Sequence, residues 1–263
     1  ILHAMEIHSV NHDQITENFI KTEADITVPE LAFVIPSFNH SIDRQMAEIS
    51  LLFAGSQYSV IAIDDGSSRV ILDANESNVT VIMHESNLGL AQSLVDGYKK
   101  ALETRSGIII RADADGEYPM SAVIKAVDIL QDNKNAGVFV EHRRTLESNG
   151  LIDSAFHNIM GKVEGNALLG FPMSQHSPGL QVYRREVVEA MLPILKNYVS
   201  KTNLKWGLDL IAIKLASKYG DIIPITLESH VWKERRPLKK ILFQMASATK
   251  ILIADKTGKF SSK

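Results

Sequence analysis

The first half of the chain alternates short, largely apolar segments with segments in which apolar residues recur every three or four positions. The largely apolar segments, typical of strands buried on both faces, are residues 31–35, 59–63, 79–83, 108–110 and 136–140. The segments with helical spacing are residues 41–53, 88–102 and 120–131. Buried strands that alternate with amphipathic helices predict an α/β fold, with a mostly parallel sheet and helices on both of its faces.

The second half of the chain is less regular but contains no repeat and no obvious linker. Helical patterns cover residues 152–169, 187–197, 208–219 and 237–254, and strand patterns cover residues 180–183 and 222–227. Residues 1–30 are polar with little periodicity, so they are predicted to form an N-terminal extension. A single domain is therefore expected.

Polar clusters follow three of the predicted strands. These clusters are Ser37-Phe38-Asn39, Asp64-Asp65-Gly66-Ser67 and Asp113-Ala114-Asp115. In parallel α/β sheets ligands bind beyond the carboxyl ends of the strands. The clusters therefore indicate a site for a nucleotide or a phosphate at this edge, although loops of α/β proteins are polar in general.

The third cluster offers oxygen ligands for a cation. Asp113, Asp115 and Glu117 place three carboxylates close together, and hard cations such as Mg²⁺ and Mn²⁺ take such ligands while keeping positions for phosphate oxygens. The structural alternative is that Asp115 or Glu117 caps the helix that begins near Pro119.

The other clusters also allow two interpretations. A carboxylate at a strand tip, Asp64 or Asp65, can accept hydrogen bonds from a base N–H or from ribose hydroxyls, but the same residues favour a tight turn. Asn87, two residues before Gly89, either contributes to the site or caps the following helix.

Taken in order, these motifs resemble a known family. The motifs are Val34-Ile35-Pro36-Ser37-Phe38-Asn39, Ile63-Asp64-Asp65-Gly66-Ser67-Ser68, Asn87-Leu88-Gly89 and Asp113-Ala114-Asp115. Their order and spacing resemble family-2 glycosyltransferases with the GT-A fold, and the run from Asp113 to Pro119 is most similar to dolichyl- and polyprenyl-phosphate sugar transferases. The resemblance implies a GT-A-like, Rossmann-type domain over residues 31–236, with an extension at 1–30 and a basic amphipathic C-terminal helix or tail at 237–263.

The resemblance also implies roles for matching positions. Asp115, the second carboxylate of the DXD motif, would bind Mg²⁺ or Mn²⁺ on the diphosphate, with Glu117 as a further ligand. Relatives often carry an arginine after the strand predicted at 136–140, and either Arg143 or Arg144 matches that position. The residues implied to bind the nucleotide sugar are Pro36, Phe38, Asn39, Asp64, Asp65, Asn87, Gly89, Arg111, Asp113 and Arg143.

The acceptor half matches the family less well. Ser177-Pro178-Gly179 resembles its S-G-F segment, but Gln175 stands where relatives often have aspartate. Gly207-Leu208-Asp209 resembles the segment that supplies the catalytic base, with Leu208 in place of a glutamate. Asp209 is the candidate base; the alternative is a first-turn carboxylate stabilised by the helix dipole. A hydroxyl acceptor needs such a base, whereas a phosphate acceptor is already ionised.

Composition and charge narrow the classes of function. The 263 residues include no cysteine, which excludes disulfides, thiolate metal sites and a cysteine nucleophile. A net charge of -3 disfavours a nucleic-acid binder. Residues 230–263 carry +7 against -10 for the rest of the chain. This basic segment could bind the diphosphate or an anionic acceptor, lie on an anionic membrane, or pack as an ordinary helix. His176 and His230 are candidates for a third metal ligand, against a structural or surface role.

We therefore predict a metal-dependent, inverting glycosyltransferase of the hexosyltransferase type. It would move a sugar from a nucleotide-diphosphate donor to a sugar hydroxyl or a polyprenyl phosphate. The sequence shows no apolar run of about 20 residues and no signal peptide, so a cytoplasmic location is expected, with peripheral contact at the inner face of the membrane through residues 230–263. The alternatives are a catalytically inactive nucleotide-binding or scaffold protein, which Leu208 and Gln175 favour, a sugar nucleotidyltransferase, and a peripheral anion-binding module.

Overall fold

One mostly parallel sheet, with eight strands in the described part of the chain, organises the fold. The computed structural model describes residues 6–7, 30–69, 71, 77–143, 151–203 and 205–228, with 246, 249–251 and 253. The sheet order is β1-β8-β6-β7-β5-β2-β3-β4. The strands are β1 (Glu6–Ile7), β2 (Leu31–Ser37), β3 (Tyr58–Asp64), β4 (Val79–Met83), β5 (Ile108–Ala112), β6 (Asn135–His142), β7 (Leu180–Arg184) and β8 (Asp221–Leu227).

Between residues 30 and 228, the described part of the chain has six helices that connect or flank these strands. They are α1 (Asp43–Leu52), α2 (Leu90–Ala101), α3 (Ser121–Leu130), α4 (Leu151–Leu168), α5 (Arg185–Thr202) and α6 (Leu208–Ala216). Each predicted strand is present within two residues of its predicted ends, and the predicted α/β fold is confirmed. Within the part of the chain that the structure describes, no helix is long and apolar enough to span a bilayer.

The two faces of the sheet carry separate apolar cores. Along β2, Leu31, Phe33 and Ile35 pack with residues of α1 and α3, whereas Ala32 and Val34 pack with residues of α2, α5 and α6. Successive side chains of a strand point to opposite faces, so a fully apolar strand fits a sheet covered on both sides.

The register of the sheet brings the polar clusters to one edge. In the parallel pair β2 and β3, Ser37 lies opposite Asp64. Strand β5 runs parallel to β2 on its other side and ends at Ala112, directly before Asp113. The carboxyl ends of β2, β3 and β5 are therefore neighbours, as the strand pattern predicts.

Strand β7 differs from the others, because it runs antiparallel between β5 and β6. Its pairing with both strands joins the two parallel parts of the sheet. The segment that precedes it, Ser177-Pro178-Gly179, is thereby carried against the acidic loop that follows β5.

The N-terminal extension departs from the prediction in one respect. Residues 6–7 form the edge strand β1, which pairs with Thr226 and Leu227 of β8. The predicted helix at 237–254 lies mostly outside the described residues, although residues 246, 249–251 and 253 are helical. The rest of the extension and the basic stretch 229–245 also lie outside them.

Candidate active site

A cavity of about 310 Å³ lies at the carboxyl ends of β2 and β3. Five of its lining residues are among those that the family resemblance implicates: Pro36, Phe38, Asp65, Asn87 and Gly89. Ser37 also lines it and belongs to the first polar cluster, whereas the sequence analysis did not select the other four, which are Leu90, Ser93, Lys205 and Trp206. The structure therefore brings the first three motifs together and adds a loop from the distant second half of the chain.

Asp65 fixes the loop that leads into α2. Its Oδ1 accepts hydrogen bonds from Leu88 N (2.9 Å) and His84 Nδ1 (2.8 Å), and its Oδ2 accepts one from Gly89 N (2.8 Å). A carboxylate has about four acceptor positions, so Asp65, which lines the cavity, can accept one further hydrogen bond at Oδ2. Asn87 does not cap α2, whose N-cap is Gly89 without a side-chain cap.

Asp64 and Asn39 organise the neighbouring turns instead of lining the cavity. Asp64 Oδ1 accepts a hydrogen bond from Ser67 N (2.8 Å), which is the predicted turn interaction. Asn39 has a left-handed backbone (φ 61°) and its Oδ1 accepts hydrogen bonds from Ser68 N and Oγ. These contacts clip the loop after β2 to the loop after β3.

Arg111 supports the acidic loop from inside the protein. Its side chain is 1% exposed, and it donates hydrogen bonds to Pro178 O (2.9 Å) and Asp113 Oδ1 (2.6 Å). The guanidinium is enclosed by protein and does not line the cavity, so the contact of Arg111 with the nucleotide stays a prediction. The pKa of Asp113 is raised to about 7, chiefly by burial and further by the carboxylates of Asp115 and Glu117, while Arg111 opposes the rise.

Gly179 allows this loop to approach β7. A Cβ atom at Gly179 would lie 2.2 Å from Asp113 Oδ2 and 2.6 Å from Tyr118 Cε2, so only glycine fits. Tyr118 is also buried, and its hydroxyl accepts hydrogen bonds from Gly179 N (2.9 Å) and Gln175 Nε2 (2.8 Å). Gln175 Oε1 accepts one from His142 N (2.8 Å). The amide of Gln175 both donates and accepts, which an aspartate could not do.

Asp115 is exposed, and Glu117 is half-buried. Asp115 Oδ1 accepts a hydrogen bond from Glu117 N, and the N–H of Met120, the N-cap residue of α3, donates to Glu48 of α1 (3.0 Å). Among the described residues no three His, Asp or Glu side chains are grouped to hold a metal. A cation at Asp115 would therefore complete its coordination with diphosphate oxygens or water.

The candidate base Asp209 is fully buried in the first turn of α6. Its Oδ2 accepts a short hydrogen bond from Ser177 Oγ, and its Oδ1 has no hydrogen-bond partner. Leu208 is also buried and belongs to the core. In this arrangement Asp209 joins α6 to the segment before β7, and an acceptor hydroxyl cannot reach its carboxylate without a movement of that segment.

A second buried polar pair lies beside this link. His176 Nδ1 is 2.6 Å from Glu164 Oε2 of α4, and both side chains have no exposed surface. Burial raises the pKa of Glu164, and the hydrogen bond with His176 lowers it. His176 therefore packs in the protein interior in this arrangement, which fits the structural role. Its ring contacts that of Trp206, with centroids 4.9 Å apart.

The remaining predicted residues lie elsewhere or outside the described part of the chain. Arg143 is exposed at the end of β6, 3.7 Å from Glu228, and does not line the cavity. Arg144 and His230 lie outside the described residues. The available signal for the missed Lys205 and Trp206 was their position directly before the Gly207-Leu208-Asp209 motif, but only the folded chain carries them to the first motifs.

Comparison with known proteins agrees with this arrangement. The model of the family "Glycosyl transferase family 2" matches residues 32–192. An undecaprenyl-phosphate 4-deoxy-4-formamido-L-arabinose transferase of Klebsiella pneumoniae is 26% identical over 217 residues, covering 74% of this chain and 62% of that protein. The corresponding transferase of Yersinia enterocolitica is 25% identical over 182 residues, covering 63% and 52%. The chain thus spans between half and two thirds of the length of these relatives.

Solved structures share the fold. Glucosyl-3-phosphoglycerate synthase from Mycobacterium tuberculosis, in complex with Mn²⁺, UDP and phosphoglyceric acid, has a TM-score of 0.55 at 18% identity, covering 89% of this chain and 80% of that one. A mannosyltransferase from Pyrobaculum calidifontis, in complex with GDP-Man and Mn²⁺, has a TM-score of 0.56 at 16% identity, covering 95% and 71%. The motifs lie together at one edge of a GT-A-like sheet, and the family model matches more than half of this chain. The chain therefore belongs to glycosyltransferase family 2.

Proposed function

We propose that this chain transfers a sugar from a nucleotide-diphosphate donor, with the help of Mg²⁺ or Mn²⁺ and with inversion at the anomeric carbon. The observation that carries the proposal is the position of the cavity. It opens at the ends of β2 and β3, next in the sheet to β5, which leads into the acidic loop at Asp113 and Asp115. A nucleoside in the cavity and a diphosphate at the acidic loop would need this proximity.

The cavity chemistry suits the nucleoside part of the donor. Asp65 Oδ2 can accept a further hydrogen bond, and Phe38, 45% exposed, offers an apolar ring. Uracil, thymine and guanine carry a ring N–H that can donate a hydrogen bond to a carboxylate. The corresponding ring nitrogen of cytosine has no hydrogen to donate. We therefore expect uridine, thymidine or guanosine diphosphates to bind better than cytidine diphosphate.

The acidic loop suits a divalent cation. Asp115 presents a solvent-facing carboxylate, and Asp113 and Glu117 add negative charge within four residues. Oxygen ligands of this kind match Mg²⁺ and Mn²⁺, and the two structural relatives described above were solved with Mn²⁺. When bound, the cation would stabilise the negative charge that develops on the leaving nucleoside diphosphate.

The burial of Asp209 favours a phosphate acceptor over a hydroxyl acceptor. An ionised phosphate oxygen attacks the anomeric carbon without a base, the bond from that carbon to the donor diphosphate breaks, and one in-line displacement inverts the configuration. The curated relatives are named as transferases that act on undecaprenyl phosphate, which supports an acceptor of the same class.

The domain boundaries belong to the same proposal. Residues 31–236 would form the catalytic domain, preceded by the extension at 1–30 and followed by the basic tail at 237–263. The +7 charge of residues 230–263 would attract an anionic lipid acceptor or the anionic surface that holds it, giving peripheral contact with a membrane.

Donor binding is tested by thermal unfolding with UDP, GDP, CDP and dTDP, each with and without Mn²⁺. We expect UDP, GDP or dTDP to raise the Tm in the presence of Mn²⁺, and Asp115→Ala to abolish the metal-dependent part. Asp128→Ala, which removes an exposed carboxylate from α3, is the matched control and should respond as the wild type does. No stabilisation by any nucleotide, or stabilisation that ignores both Mn²⁺ and Asp115, would overturn the donor proposal.

The acceptor is tested with Asp209→Asn, which keeps an oxygen for Ser177 Oγ. Transfer to polyprenyl phosphate in detergent should persist in this variant. A sugar acceptor that is used by the wild type and lost in the variant would instead assign Asp209 as the base for a hydroxyl acceptor.

A further inference from the structure

The short loop of Lys205, Trp206 and Gly207, here called the 205–207 loop, lines the cavity from the second half of the chain. It packs against the start of α2, where Lys205 O accepts a hydrogen bond from Ala91 N (3.2 Å). Gly89 has a left-handed backbone (φ 96°), and a Cβ atom there would lie 2.8 Å from Lys205 Cβ. The loop is therefore in close contact with the same turn that Asp65 holds in place.

The orientation of Trp206 is set from behind the cavity. The indole and the His176 ring have centroids 4.9 Å apart with an interplanar angle of 36°. His176 is held by Glu164 at 2.6 Å and by the ring of Phe156, with centroids 5.0 Å apart. Neither His176 nor Glu164 has exposed surface, so the half-buried indole rests on a fully enclosed support.

The Glu164–His176 pair that supports Trp206 is expected to lower the stability of the fold, because it buries polar atoms. His176 Nε2 and Glu164 Oε1 have no hydrogen-bond partner in the described structure. A buried polar group without a partner is costly, and an apolar pair of similar size would avoid that cost. Packing alone thus explains the Glu164–His176 pair poorly. A role in orienting the Trp206 indole, which lines the cavity, would explain it.

We propose that Trp206 is a donor-binding residue whose indole packs against the nucleoside of the sugar donor, and that the Glu164–His176 pair is the positioning device that fixes this indole. This inference rests on the proposed function, since it assumes that the cavity takes a nucleotide. Stacking of a base on an aromatic side chain contributes to the binding free energy, and loss of the ring should weaken binding about 10-fold.

The same contacts connect the donor cavity to Asp209. The segment 176–177 meets the segment 206–209 twice, through the ring contact of His176 with Trp206 and through the hydrogen bond from Ser177 Oγ to Asp209. A nucleoside that packs on the Trp206 indole therefore contacts the loop that leads directly into α6, which carries Asp209. Occupation of the donor site and the position of Asp209 become linked through a single loop.

Intrinsic fluorescence tests the inference, because the chain contains only two tryptophans, Trp206 and Trp232. In Trp232→Phe all tryptophan emission comes from Trp206, and the nucleotide panel is titrated in Mn²⁺ with calorimetry on the same protein. We expect the emission of Trp206 to change along a curve with the calorimetric Kd. Trp206→Leu should weaken nucleotide binding about 10-fold, and Tyr219→Leu, which removes an exposed aromatic ring that does not line the cavity, should bind as the wild type.

The positioning role has its own readout. Glu164→Leu, made in the Trp232→Phe protein, should shift the emission of Trp206 before nucleotide is added and should weaken nucleotide binding. Glu164→Gln, which retains a hydrogen-bonding oxygen for His176, should restore both properties.

The outcomes separate this inference from the proposed function. Nucleotide binding by calorimetry without any change in Trp206 emission, or with full affinity in a folded Trp206→Leu protein, overturns the inference and leaves the proposed function standing. Absence of nucleotide binding in the wild type overturns both. The Trp232→Phe titration leaves Trp206 in place, so a Trp206→Leu chain that failed to fold would not prevent the decision.

Discussion

A methyl group at Gly179 tests whether the acidic loop depends on the strand inserted beside it. The added Cβ would lie 2.2 Å from Asp113 Oδ2 and 2.6 Å from Tyr118 Cε2, where ordinary contact begins at 3.4 Å. Neither neighbour can retreat easily, because Arg111 holds the carboxylate and Tyr118 is hydrogen-bonded to Gln175. Overpacking of this kind costs about 1–3 kcal/mol, and we expect the upper part of that range.

The assay is chemical and thermal unfolding of Gly179→Ala beside the wild type. For a chain of 263 residues about 1 kcal/mol corresponds to about 2 °C in Tm, so the Tm should fall by about 4–6 °C. Displacement of Asp113 should also reduce the Mn²⁺-dependent stabilisation by nucleotide.

Gly55→Ala is the matched control. No heavy atom lies within 4 Å of a Cβ at Gly55, and neither glycine has the left-handed backbone that disfavours alanine. Alanine there should leave stability unchanged or raise it by up to about 1 kcal/mol, through the lower entropy of the unfolded chain. If Gly179→Ala were as stable as Gly55→Ala and bound nucleotide equally well, the close approach of β7 to the acidic loop would be refuted.

Three further predictions concern Arg111, Glu141 and the proposed cation. Arg111→Leu should lower the free energy of unfolding by about 2–3 kcal/mol, measured in urea. The loss should be smaller than for a fully buried ion pair, because 30% of the Asp113 side chain is exposed. A change below about 0.5 kcal/mol would contradict the pairing of Arg111 with Asp113. Burial raises the pKa of Glu141, so the unfolding free energy should fall as the pH rises above about 4.5 toward the raised value, and Glu141→Gln should make that fall shallower; an unchanged pH slope would count against it. Chelation with EDTA should remove the metal-dependent nucleotide stabilisation and leave the Tm of the nucleotide-free protein unchanged, whereas a lower Tm without nucleotide would indicate a structural metal.

Local pattern was sufficient for most of the fold. The apolar runs at 31–35 and 108–110 identified two central strands because strands covered on both faces need apolar side chains at successive positions. The polar clusters after them were correctly expected at one edge, since parallel strands end together. The boundaries of the predicted helices moved by a few residues, as at α5, which extends to Thr202.

The limits of the sequence concern interactions between distant segments. Nothing in the neighbourhood of Arg111 shows that its guanidinium is enclosed, because its partner Pro178 lies 67 residues away. The burial of Asp209 depends likewise on Ser177, 32 residues earlier. The cap of α3 comes from Glu48, 72 residues before it, so the local choice between Asp115 and Glu117 did not include the residue that performs the task. Position along the chain assigns such residues to a motif, but only packing decides whether they face ligand or protein.

The antiparallel strand β7 also has a consequence for the order of folding. Strands β2, β3 and β4 pair with one another within residues 31–83, whereas β5 and β6 are joined only through residues 180–184. During synthesis the nucleoside half of the sheet can assemble early, since its contacts are comparatively local. The acidic loop must wait until Gly179 and β7 emerge, and until then Arg111 and Asp113 lack the main-chain partners that β7 brings. The charged part of the site is thus completed by the seventh of the eight described strands, which keeps it unformed until residues 178–184 have been synthesised.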